Sequence, residues 1–218
     1  MRPLSRSVPC PPRRPLGDAA KRAFDIVGSA LLLIAIVPVL PIISVAILVE
    51  SRGPVLHRQR RLGRGGQPFD MLKFRTMRPD AEALLNSDPE LYRRFVDNGF
   101  KLPLGEDPRI TRVGAWLRAA SLDELPQLVN VLRGDMSLVG PRPPIVEQIP
   151  LLYDGLEAHY FSVRPGLTGL WQVSGRSDLS RQQRCSLDVE YVATRSMRTD
   201  MRILVATVGA VTRREGAC

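Results

Sequence analysis

Histidine is nearly absent from this chain: His57 and His159 are the only two, and they lie far apart. Chemistry built on an imidazole base therefore has little to draw on. Cysteine is scarce as well, with Cys10, Cys185 and Cys218 odd in number and widely scattered. Without a Cys-x-x-Cys or paired histidines, neither a zinc site nor a disulfide framework is indicated, and reduced thiols facing the cytoplasm are expected. Aromatic residues make up only 6 % of the chain. They are not interleaved with the basic residues, which argues against nucleic acid as a partner. No internal repeat is found.

What the chain does have is one long apolar run. Ile26 to Val49 is free of charge and is interrupted near its middle by Pro38 and Pro41. The excess positive charge lies on the two flanks of this run. Residues 1–25 carry six Lys or Arg against two acids, residues 50–75 carry seven against two, and residues 76–218 carry eighteen of each. The formal +9 is thus a membrane-proximal feature, and anionic lipid headgroups account for it. A straight helix over the run would reach roughly 36 Å, enough to cross a hydrocarbon core of ~30 Å. Two features favour a hairpin that dips in and returns. Each proline removes a backbone donor and crowds the preceding turn, so a break is expected at Pro38 and Pro41. Lys and Arg also mark cytoplasmic flanks, and here both flanks are basic. Ser29 or Ser44 would then serve the backbone groups freed at the bend. A signal peptide is excluded, because the run is too long, begins too late and lacks a small-residue cleavage site.

The expected organisation is a disordered, basic, Pro-rich tail over 1–20, a re-entrant membrane hairpin over 21–50, and one cytoplasmic catalytic domain over 51–218. The expected fold class is α+β and helix-dominated. Residues 54–61 and 68–75 alternate around Gly63-Arg64-Gly65-Gly66 and predict a β-hairpin. Helical spacing covers 79–98, followed by a loop over 100–112 and a short helix ending near Ala120. A second helix is expected from Leu122–Leu125 to Leu132, stopped by Gly134. Helix is expected again over 145–161, 181–195 and 201–211, with a glycine-rich loop from Arg164 to Gly175.

The segment that carries chemistry is Ser121-Leu122-Asp123-Glu124-Leu125-Pro126-Gln127. Taken alone, its Ser-x-x-Glu reads as a capping box, and two acids in a first turn suit a helix dipole. Its company argues for more. Lys73, Arg75, Arg109, Arg112 and Arg118 precede it, and Arg133, Arg142, Arg164 and Arg176 follow, several beside Gly or Pro in loops suited to presenting guanidinium groups to phosphate. A carboxylate pair among arginines, with no useful histidine, suits phosphoryl transfer assisted by a divalent metal.

Several motifs also resemble those of the bacterial sugar transferase family, the small monotopic phosphoglycosyl transferases. They are Lys21-Arg22-Ala23-Phe24-Asp25, Lys73-Phe74-Arg75-Thr76-Met77, Asp107-Pro108-Arg109-Ile110-Thr111, Ser121–Gln127, Met136–Pro143 and Arg164–Arg176. The resemblance implies a re-entrant helix on the cytoplasmic face of the bacterial cytoplasmic membrane. It implies that Asp123 attacks the β-phosphorus of a UDP-sugar, releasing UMP, and that undecaprenyl phosphate then collects the phosphosugar. It assigns Glu124, together with Asp123, to Mg²⁺. Lys73, Arg75, Arg142, Pro143, Arg164 and Arg176 are placed at the phosphates or nucleotide, with Asp188 and Asp200 in support. The segment 80–107 looks more like members that transfer hexose 1-phosphate. The chain departs from the family after Tyr191, where a tryptophan is common and Ala193-Thr194-Arg195-Ser196 stands instead. It also resembles the minimal catalytic form, without the extra helices and domain of larger members. Two rival readings stay open from the residues alone: a non-catalytic membrane-surface scaffold, and a plain glycosyltransferase releasing UDP. Oligomeric state is left open.

Overall fold

The computed structural model describes residues 15–98, 102, 103, 105–145, 156–175 and 179–212. Helix α1 spans Pro15–Ile36 and α2 spans Val39–Glu50. Helix α1 begins before the expected boundary at 21, because Pro15 is tolerated at a helix start; residues 1–14 of the expected tail lie outside the described residues. Among the described residues no single helix is long and apolar enough to cross a membrane, but α1 and α2 pass that test together, bent by 62°. The break falls at Val37 and Pro38. Pro41 is no second break: it sits in the first turn of α2, where a missing N–H has no intrahelical partner to lose. Nor do the two serines serve the bend. Ser29 Oγ donates to Asp25 O at 2.6 Å and Ser44 Oγ to Leu40 O at 2.7 Å, each one turn back on its own helix.

The β-hairpin forms as expected, with β1 (Leu56–Leu62) antiparallel to β2 (Pro68–Phe74). The expected helix over 79–98 is two helices, α3 (Ala81–Ser87) and α4 (Pro89–Asp97). Pro89 cannot continue α3, and Asp88 starts α4 instead by accepting from Glu90 N and Leu91 N, both at 3.0 Å. Helix α5 spans Arg112–Ala119 and α6 spans Gln127–Arg133, with a 3₁₀ turn, Leu122–Glu124, between them.

Beyond α6 the chain forms β3 (Ser137–Val139), a one-turn helix α7 (Glu157–Tyr160), β4 (Gly166–Thr168), a one-turn helix α8 (Leu170–Val173), α9 (Arg181–Thr194) and α10 (Met197–Thr212). Of the helix expected over 145–161, residues 146–155 lie outside the described residues. The glycine-rich loop expected over 164–175 is more ordered than its composition suggests, since β4 pairs in parallel with β3. The glycines permit this pairing: a Cβ on Gly166 would lie 2.1 Å from Gly140 N, so only bare backbone lets the two segments cross. With helices around one hairpin and one short parallel pair, the fold is α+β and helix-dominated.

The main core joins Phe69 and Met71 of β2, Leu128 and Val131 of α6, β3, and Tyr191 and Val192 of α9. Phe24, Leu33 and Ile36 of α1 pack against it. A second cluster places Ile43 and Ile47 of α2 on Phe74 and Leu117, with Leu122 and Leu125 alongside. The outer faces of α1 and α2 stay apolar and open, with Ile34 69 % and Val49 82 % exposed. Lys21 and Arg22, expected at lipid headgroups, turn inward. Lys21 Nζ bridges Asp25 at 3.3 Å and Asp200 at 2.9 Å. Arg22 donates to Val131 O at 2.6 Å and Leu132 O at 2.8 Å. Both side chains thus meet acceptors inside the protein, two buried carboxylates and the last carbonyls of a helix, where charge is better compensated by pairing than left alone.

Candidate active site

The dyad is built by an abrupt change of chain direction. Helix α5 ends at Ala119, and Ser121 takes a left-handed conformation (φ 56°) before the 3₁₀ turn that holds Asp123 and Glu124. Ser121 makes no side-chain capping bond. The capping box is therefore not formed: a residue at positive φ cannot aim its hydroxyl along the following turn as an extended N-cap does. The acids are free of that structural task. The strain of a left-handed serine is of the kind that collects at functional turns.

Glu124 is held from two sides. Lys73 Nζ lies 3.3 Å from Glu124 Oε1, and Arg142 Nη2 donates to the same oxygen at 2.9 Å. Burial alone would raise the Glu124 carboxyl, but Arg142 and Lys73 together pull it down to about 2. Asp123 is 8 % exposed, and its carboxyl is raised by burial first and by the Glu124 charge second, with Lys73, Arg118 and Arg142 opposing. One acid is thus fixed as an anion by two cations, while its neighbour is an ionisable, less stabilised carboxylate. Chemically, such a pair can divide the roles of charge anchor and nucleophile.

Each cation is positioned by its own element. Lys73 stands near the end of β2. That strand is tied to α6 by Asn130, whose Oδ1 accepts from Leu72 N at 3.0 Å and whose Nδ2 donates to Asp70 O at 2.8 Å. Burial, with Arg142 adding, lowers the Lys73 ammonium from its ordinary value. Arg142 projects from the loop after β3, where Tyr160 Oη donates to Arg142 O. Pro143 offers its carbonyl to Arg61 Nη1 at 3.1 Å, which helps fix that loop. Arg118 donates from Nε to Thr76 Oγ1 at 2.9 Å, and its charge acts on Asp123.

Other expected site residues lie elsewhere. Arg75 donates from Nη2 to Ser51 O and, at 2.9 Å, to Ser51 Oγ, and from Nη1 to Arg52 O at 3.3 Å. Its guanidinium therefore closes the chain behind α2 and is not offered to phosphate. Arg164 Nε donates to Gly134 O at 2.9 Å and lines a small polar cavity with Lys21, Asp25, Arg64 and Arg195. Asp200 accepts from Tyr191 Oη at 2.8 Å and pairs with Lys21, tying α10 to α1. Asp188 is buried in α9, and its charge adds to the effect of burial in raising the Cys185 thiol to about 11. Arg176 lies outside the described residues.

The structure also adds a neighbour that sequence reading set aside. His57 pairs with Lys73 across the hairpin, and partial burial and the charges of Lys73 and Arg118 lower its imidazole from the usual value. The signal was present in the hairpin itself: residues 57 and 73 lie equally far from the Gly65 turn, and opposed residues share a face.

Among the described residues no three His, Cys, Asp or Glu side chains converge as a metal cage. The donor set nevertheless suits Mg²⁺. Asp123 and Glu124 are hard oxygen donors in sequence, both cations on Glu124 take Oε1, and Mg²⁺ is commonly held by one or two carboxylates with water and substrate phosphate completing the shell.

Comparison with known proteins identifies the family. The bacterial sugar transferase profile matches residues 16–214. The chain is 42 % identical over 202 residues to the exopolysaccharide production protein ExoY of Sinorhizobium fredii, covering 91 % of this chain and 88 % of that one. It is 44 % identical over 200 residues to the UDP-glucose:undecaprenyl-phosphate glucose-1-phosphate transferase of Caulobacter vibrioides, covering 88 % and 69 %. It is 42 % identical over 201 residues to the undecaprenyl-phosphate galactose phosphotransferase of Salmonella typhimurium, where it covers 90 % of this chain and 41 % of the relative. The chain belongs to the bacterial sugar transferase family and is a transferase.

Proposed function

We propose that this protein moves a sugar 1-phosphate from a UDP-sugar to undecaprenyl phosphate at the cytoplasmic face of a bacterial membrane, as an early step of exopolysaccharide or glycoconjugate assembly. The relatives named for glucose-1-phosphate and galactose transfer support the acceptor and suggest a hexose donor. The observation that carries the mechanism is the unequal dyad, a buried Asp123 beside a Glu124 neutralised by Lys73 and Arg142.

In the first half-reaction an Asp123 carboxylate oxygen attacks the β-phosphorus of the donor. The bond from that phosphorus to the bridging oxygen breaks, and UMP leaves with the electron pair. Lys73, Arg118 and Arg142 lower the repulsion between the two anions. A phosphate oxygen of undecaprenyl phosphate then attacks the same phosphorus, and the Asp123 carboxylate is released unchanged. Mg²⁺ held by Asp123 and Glu124 would supply further neutralisation of the donor diphosphate.

The hairpin of α1 and α2 fits this second substrate. Its open apolar faces have no protein partner among the described residues, and α2, about 18 Å long, is too short to cross alone. A re-entrant seat keeps the dyad at the depth where a polyprenyl phosphate presents its headgroup. The test is nucleotide release from detergent-purified protein with Mg²⁺, undecaprenyl phosphate and a panel of UDP-sugars. UMP from wild type and none from Asp123→Asn is the expected result. UDP in place of UMP, or undiminished release by Asp123→Asn, would overturn the covalent mechanism.

A further inference from the structure

The dyad turn lies between two helices, and each of them has one end bound by a side chain from the membrane hairpin. At the near end, Glu50, the last residue of α2, accepts from Arg112 N at 2.7 Å and Val113 N at 2.8 Å. Its carboxylate completes the capping of α5, the helix that runs into Ser121, beside the N-cap Thr111, whose Oγ1 accepts from Gly114 N at 2.9 Å. At the far end, Arg22 of α1 donates to the last carbonyls of α6, Val131 O and Leu132 O, the helix that leaves the dyad. The charges match the helix ends they meet, an anion at an N-terminus and a cation at a C-terminus. Between these two points, Ile43 and Ile47 of α2 pack in one cluster with Leu122 and Leu125, which bracket Asp123 and Glu124.

We infer that the membrane hairpin clamps the catalytic turn, and that Glu50 and Arg22 are positioning residues through which seating of the hairpin sets the alignment of Asp123 and Glu124. The basic flank at Arg22 and the acid at the exit of α2 have no comparable purpose as lipid anchors, because their charged atoms are spent on backbone groups of α5 and α6. The hairpin is therefore part of the active-site framework as well as an anchor. Donor cleavage, a step that needs no lipid substrate, should depend on how α1 and α2 are seated.

This inference rests on the proposed phosphosugar transfer, so its test separates the two. Full-length protein is placed in nanodiscs of phosphatidylethanolamine and phosphatidylglycerol and mixed rapidly with UDP-glucose or UDP-galactose, without undecaprenyl phosphate. The UMP burst then gives a rate constant for donor cleavage and an amplitude that counts competent sites. Loss of a helix cap costs about 1 kcal/mol, a roughly fivefold slowing if it falls wholly on the transition state. Glu50→Ala and Arg22→Ala should each slow the burst about fivefold with its amplitude and the donor KM unchanged. Glu50→Gln and Arg22→Lys, which keep an acceptor or a donor in place, should recover most of the rate. A merely structural role gives the opposite pattern, a smaller amplitude at an unchanged rate constant, and would overturn the inference.

Amide hydrogen exchange across residues 120–126, measured without any substrate, supplies a second readout. It should quicken about fivefold in Glu50→Ala. Unchanged exchange there would refute the clamp whatever the reaction is. A wild type that gives no UMP with either donor, while exchange in Glu50→Ala still quickens, would refute the proposed reaction and leave the clamp supported.

Discussion

Replacing Glu124 by Gln should move the acid limb of donor cleavage to lower pH, and replacing Lys73 by Met should move it to higher pH. In the proposed mechanism Asp123 must be ionised to attack, so the rate falls as pH drops through its pKa. That pKa is raised above the ordinary 3.8 by burial first and by the Glu124 charge second, so the wild-type limb lies above pH 3.8. Removing the Glu124 charge removes the second cause. With that charge gone, the acid limb moves to lower pH. The same substitution frees Lys73 and Arg142, which now carry their charge against Glu124 Oε1 at 3.3 and 2.9 Å, to act on Asp123 in the same direction. Lys73→Met removes one of the charges that lower Asp123, so its sign is opposite. The assay is the UMP burst with donor alone from about pH 4 to pH 8, each variant normalised to its own plateau, because loss of Glu124 also weakens metal-dependent rate. Limbs that stay in place, or shift in the same direction in both variants, would refute the assignment of Asp123 as the titrating nucleophile.

Arg75→Met should lower stability by about 1–3 kcal/mol, through the lost bonds to Ser51 and Arg52, and leave the donor KM unchanged; a KM increase without destabilisation would restore Arg75 to the phosphate site. Gly114→Ala should destabilise severely, by roughly 3 kcal/mol or more, because its Cβ would stand 2.0 Å from Thr76 O; thermal unfolding checks this. Lys21→Met should cost about 3–5 kcal/mol by leaving Asp25 and Asp200 buried without their shared cation, and Asp200→Asn should recover part of that loss in the double variant. Single cysteines placed at Asp18 and at Arg52 should both react with an impermeant reagent from the cytoplasmic side of inverted vesicles. Reaction of one from each side would mean a spanning helix.

The elements that were legible in the sequence are those set by near neighbours. The hairpin β1–β2 follows from alternation around a glycine turn, and the bend at Pro38 follows from a missing donor. The acid pair Asp123–Glu124 was visible as a pair set among arginines, and the structure does bring cations to it. Less legible was which of several similar cations would reach the pair. Lys73 and Arg142 reach Glu124, while Arg75, two residues from Lys73, is drawn to the chain end behind α2, and Arg164 to Gly134 O. No local rule separates these, since each guanidinium seeks the nearest unsatisfied acceptor and that acceptor is supplied by a distant segment. The same reasoning explains the two misread signals. Ser121 has a capping sequence, yet tertiary packing of Leu117, Leu122 and Leu125 against α2 forces the turn into a left-handed geometry that a local cap cannot use. β4 has only three residues flanked by glycine, and it exists because β3, 27 residues upstream, offers a ladder to it. In both cases a long-range contact outweighs a local preference by more than the kilocalorie or so that a cap or a strand propensity carries. Several contacts that hold the turn bearing Asp123 and Glu124 come from α1 and α2, so the apolar run that stands out in the sequence also packs against the candidate site.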